Sequence, residues 1–123
     1  MYNSRIDYTT NGLGITFFGT YWIVATNSIN GPLWILRNNS QTGHSIVFQL
    51  HDEVGNRNGI GTKFTIHYGP GGERHQLREL KASGGYISFD EPLAHFGLGE
   101  YDRVDRLEIG WSTGGTTVIP GPF

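Results

Sequence analysis

The chain has 123 residues, the size of one domain, and at that length burial of apolar surface can hold a fold without covalent staples. It contains no cysteine, which excludes disulfides, thiolate metal sites and a cysteine nucleophile. Nine basic residues against eleven acidic ones leave a formal charge of −2, and no Lys/Arg run is denser than Arg103–Arg106 with its interleaved acids, so no nucleic-acid or anionic-membrane surface is expected.

Nineteen glycines and sixteen aromatic residues point to short strands joined by tight turns. No segment sustains a 3.6-residue apolar period. The expected fold is therefore all-β: one small antiparallel sandwich or barrel-like domain over residues 1–123, with little or no helix. Met1-Tyr2-Asn3-Ser4-Arg5 lacks the apolar core of a secretory signal. Runs such as Tyr21–Ala25 fall far short of the ~20 residues that span a bilayer.

In chain order, strands are expected at Arg5–Thr9, Gly12–Phe18, Tyr21–Thr26 and Pro32–Arg37. Asn30-Gly31, tolerant of positive φ, joins the last two as a hairpin. Both its arms are apolar almost throughout, which implies burial on two faces or against a partner. Polar Asn38–Gly43 is the clearest internal boundary. Next, His44–Leu50 sets Ile46, Phe48 and Leu50 on one face. Lys63–Tyr68 turns Phe64, Ile66 and Tyr68 inward and Thr65 and His67 outward, stopping at Gly69-Pro70-Gly71-Gly72. Glu73–Ala82 reads as a polar edge strand, although Leu77 and Leu80, three apart, hint at helix. Arg106–Trp111 alternates again, with Leu107, Ile109 and Trp111 together. Thr116–Ile119 is the final strand, ended by Pro120-Gly121-Pro122.

Four pieces carry a resemblance. They are Gly55-Asn56-Arg57-Asn58-Gly59-Ile60-Gly61, Ser83–Ser88, Asp90–Gly99 and Val104–Trp111. In that order, from His44 to about Ile119, the chain resembles the ASPIC/UnbV domain family. The resemblance implies a domain that usually follows FG-GAP-type propeller repeats in extracellular proteins, and Gly12–Asn39 is similar to one such blade. The blade's calcium loop is replaced here by Gly19-Thr20, with no carboxylate between Tyr8 and Asn39. Calcium needs several oxygen ligands, so that site is not carried over. A single blade cannot bury its own faces. Its strands either join the sandwich or pair with a second copy.

Candidate chemistry is sparse. Asn56, Arg57 and Asn58 in the glycine-rich Gly55–Gly61 segment suit a backbone-amide cradle for an anion, although a turn that re-aims the next strand is the simpler reading. His95 beside Asp90 or Glu91 could act as a base with its orienting carboxylate. The competing reading is a structural corner in which Pro92 fixes a turn and Phe96 and Leu98 enter the core. His67 and His75 flank a turn and could face each other, with Glu73 as a third metal ligand; two histidines on an open polar face are the commoner arrangement. Tyr86 and Tyr101, in turn-rich stretches, are the aromatics best placed to stack on a sugar ring. The expected function is that of a non-catalytic binding domain for a carbohydrate or protein, without cofactor or metal. Its candidate contacts are Asn56, Arg57, Asn58, Tyr86, Asp90 and His95. The alternatives are a small enzyme using His95 with Asp90 or Glu91, and a structural homodimer built through Tyr21–Leu36.

Overall fold

The computed structural model describes residues 4–11, 22–26, 31–37, 43–52, 55–85 and 87–123. Among them are nine strands and no α-helix: β1 (Ser4–Asn11), β2 (Trp22–Thr26), β3 (Leu33–Arg37), β4 (His44–Asp52), β5 (Lys63–Tyr68), β6 (Arg74–Glu79), β7 (Leu93–Gly99), β8 (Val104–Gly110) and β9 (Thr116–Pro120). β1, β4 and β7 form one antiparallel sheet in that order, and β6, β5, β8 and β9 a second. β2 and β3 pair as the expected hairpin, with Trp22 opposite Arg37 and Thr26 opposite Leu33. The expected strand at Gly12–Phe18 and the boundary at Asn38–Thr42 lie outside the described residues.

The period-2 pattern decides which faces meet. Ile46, Phe48 and Leu50 of β4, with Ala94, Phe96 and Leu98 of β7, pack against Phe64, Ile66 and Tyr68 of β5 and Leu107 and Ile109 of β8 in one buried cluster. Phe48 sits at the junction, fully buried, with the Phe64 ring stacked at 6.2 Å and the Phe96 ring edge-on at 6.0 Å. The domain is thus a two-layer antiparallel sandwich, as the alternation predicts.

Glu73–Ala82 supplies the polar edge strand, β6, and no helix; Leu77 points out from it, half exposed, and Leu80 is buried just beyond its end. Two local readings change. The corner expected over Asp90–Gly99 is mostly strand. β7 pairs with β4 from Leu93 to Gly99, and the two glycines that weaken its strand signal fall on exposed positions. Nor does pairing stop at Pro120. The Gly121 N–H donates to the Asp105 carbonyl at 2.8 Å, and Val104 and Phe123 exchange both backbone hydrogen bonds, at 3.3 and 3.0 Å. The Phe123 ring meets Phe48 edge-on at 5.8 Å.

One irregularity shapes the surface. Along β5 and β8, His67 lies opposite Arg106 and Tyr68 opposite Val104, so Asp105 is the extra residue of a β-bulge. The bulge returns Val104 to the core, fully buried. It also aims Asp105 toward the turn that follows β5.

Candidate functional site

The Gly55–Gly61 loop closes on itself. The Asn56 Oδ1 accepts the Ile60 N–H at 2.9 Å, while its Nδ2 donates to the Ile60 carbonyl at 2.8 Å and to the Ser112 hydroxyl at 3.3 Å. The amides of Arg57, Gly59, Gly61 and Thr62 donate to carbonyls of Gly55, Asn56, Leu80 and Gly59. These groups are engaged inside the fold. Gly59 has φ +63 and lies directly on the Leu50 side chain, so the loop caps the core. Arg57 and Asn58 stand exposed at its tip. Asn56→Ala removes all three side-chain bonds and leaves half-buried backbone groups short of partners. It is expected to lower stability by about 1–3 kcal/mol in urea unfolding.

Asp90 and His95 line one cleft of about 420 Å³, with Arg78, Glu79, Lys81 and Glu91. β6 supplies one wall through Arg78 and Glu79, and β7 the other through Leu93 and His95. Gly84 lets the segment between them fold tightly, because the Asp90 carboxylate occupies the space a Cβ would need. Tyr86 lies outside the described residues. Its neighbours Ile87 and Phe89 are 88% and 55% exposed, and Ile87 has φ +50, a strained conformation for a β-branched residue.

His95 sits opposite Val47, and its pKa is lowered from the usual 6.5, chiefly by burial, with Glu91 pulling it the other way. A histidine that resists protonation when folded favours unfolding once the unfolded chain takes up its proton. That contribution to stability is complete above about pH 6.5 and is lost as pH falls toward the folded value. The urea midpoint should therefore drop between about pH 7.5 and pH 5, and His95→Gln should flatten the drop.

His67 and His75 face each other as expected, opposite one another on β5 and β6, with ring centroids 6.2 Å apart. Glu73 is not drawn in. Instead the Glu108 Oε1 lies 3.1 Å from His67 Nε2, and the Arg106 Nη2 lies 3.0 Å from that carboxylate and 3.1 Å from the same ring nitrogen. A guanidinium so close to the ring stands where a metal cation would need to be. No group of three potential ligands occurs among the described residues.

Beside this cluster opens a second cleft of about 770 Å³, lined by His67, the Gly69–Gly72 turn, Tyr101, Asp102, Arg103, Asp105 and Arg106. Of its lining, the sequence marked Tyr101 for a sugar and His67 for a metal, but gave Asp105 and Arg106 no role. The alternating charges of Asp102-Arg103-Val104-Asp105-Arg106 after an aromatic were the available signal. The bulge that gathers them was not.

Fold and clefts together define a small two-layer β-sandwich with polar grooves open at its loops and edges. The chain belongs to the ASPIC and UnbV family, whose sequence profile matches residues 52–122, more than half its length. The matched region holds β5 to β9 and every residue of both clefts. Neither a curated protein nor a solved structure matches the chain.

Proposed function

We propose that this is a non-catalytic interaction domain that takes an extended peptide segment of a partner protein into the cleft of Asp90 and His95. The observation that carries the reading is the cleft's position. It lies between β6 and β7, which among the described residues are edge strands of the two different sheets. Sheet edges offer unpaired backbone donors and acceptors to an incoming strand. The lining adds both signs of charge, Arg78 and Lys81 against Glu79, Asp90 and Glu91, which suits a peptide better than a simple anion or cation. Ile87 and Phe89, adjoining in sequence, give exposed apolar anchors with charged residues around them, the anatomy of an interface centre and its rim.

The test is selection from a displayed library of random linear peptides, followed by titration of a selected peptide. Asp90→Asn and Lys81→Ala, both exposed, should weaken binding about tenfold without moving the melting curve. Failure to select any peptide, or affinities that both substitutions leave unchanged, would remove the proposal. Ile87→Gly separates strain from use. Glycine accepts φ +50, so the variant should gain roughly 1 kcal/mol in stability while losing peptide affinity.

A further inference from the structure

We infer that the larger cleft, next to Tyr101, is a second and independent binding site whose ligand is a neutral carbohydrate. Its shape argues first: about 770 Å³ falls within the ~300–1,000 Å³ usual for small-molecule sites.

The cleft has one aromatic platform, and that platform is fixed. The Tyr101 ring meets Tyr68 edge-on at 5.7 Å, with the Arg74 guanidinium 5.2 Å from its centroid. Tyr68 is anchored in turn, its hydroxyl accepting a 2.8 Å hydrogen bond from Gln76 Nε2. Arg74 lies over the ring, so what a sugar's C–H face can meet is the part of Tyr101 that lines the cleft, held there at little entropic cost.

Around it stand groups that recognise hydroxyls. Asp102 and Asp105 accept; Arg103 and Arg106 donate in planar, two-pronged fashion. The Arg103 Nε is 3.7 Å from the Asp105 Oδ1, a loose pair that leaves both heads reachable. Arg106 is held more firmly, by Glu108 at 3.0 Å. The turn beneath is glycine because its backbone requires it: Gly69, Gly71 and Gly72 have φ of +79, +66 and +69, and Gly69 and Gly72 lie beside the Tyr101 ring and the Asp105 carboxylate.

Charge then selects the class of sugar. Two carboxylates face two guanidinium groups, so the lining carries no formal excess of either sign. A phosphate, sulfate or uronate would meet Asp102 and Asp105 as well as the arginines and gain little. A neutral polyol uses every one of these donors and acceptors without leaving an ion uncompensated.

The experiment is a glycan array carrying neutral, sulfated and uronate-containing oligosaccharides, followed by calorimetric titration of the best neutral binder with the full chain. Neutral glycans should bind, and Asp102→Asn and Arg103→Ala, both exposed substitutions, should each weaken binding about tenfold with unchanged melting. Tyr101→Phe, which keeps the ring, should retain most of the affinity. Binding restricted to acidic glycans, no neutral binder on the array, or neutral binding indifferent to both exposed substitutions overturns the inference. Lys81→Ala should leave glycan affinity unchanged, which separates this site from the peptide cleft.

Discussion

Phe48→Ala is expected to strip the protein of a large part of its stability. Phe48 is fully buried, and its ring contacts include Phe64 at 6.2 Å, Phe96 at 6.0 Å and Phe123 at 5.8 Å. Those partners come from β5, β7 and the segment after β9, so one side chain joins both layers and the C-terminal segment. Truncating such a phenylalanine costs about 3–5 kcal/mol, from lost transfer energy and from the cavity left behind. A domain of this size has only about 5–15 kcal/mol of total stability. Its urea midpoint should fall steeply. Phe48→Leu keeps most of the volume and should cost far less. Similar stabilities for the two variants would mean that the ring contacts do not hold the sandwich together.

Much of this core was legible because it follows one rule. Ile46, Phe48 and Leu50, Phe64, Ile66 and Tyr68, and Leu107 with Ile109 recur at every second residue, and such a pattern admits one buried face. β7 was hidden for a related reason. Its inward residues Ala94, Phe96 and Leu98 alternate properly, but Pro92, Gly97 and Gly99 surround them with the residues of turns. The candidate sites were less legible, because each depends on an event that no local pattern encodes. Asp90 and His95 were readable as a pair, yet the cleft they line needs β6 from the other sheet. Asp105 reaches the Gly69–Gly72 turn only because β8 carries one residue more than β5 there. Asn56 was readable as a special residue, but its three hydrogen bonds, one of them to Ser112, belong to the loop's closure.

Gly121→Ala tests how that bulge is held, and a large local effect is expected. At Gly121 a Cβ would fall directly on the Val104 carbonyl oxygen and 2.9 Å from that of Asp105. Both are backbone atoms, so no rotamer change can make room, and the segment must move away from β8. Moving it breaks the 2.8 Å bond from Gly121 to Asp105 and the two bonds between Val104 and Phe123, and it withdraws the Phe123 ring from Phe48. At about 0.5–1.5 kcal/mol for each hydrogen bond, with the ring's burial added, the loss should reach roughly 2–5 kcal/mol. Because the segment's backbone pairs with β8 alone among the described residues, the rest of the sandwich can stay folded while it detaches. Hydrogen exchange should then quicken most at Val104, Gly121 and Phe123, with β4 and β5 less affected. The carbonyl that Gly121 holds belongs to Asp105, the bulge residue, so neutral-glycan affinity should fall in this variant even though Gly121 lies outside the cleft. Unchanged exchange at Val104 and Phe123 would show that the C-terminal segment does not clamp the bulge. Faster exchange with full glycan affinity would show instead that Asp105 keeps its place without that clamp.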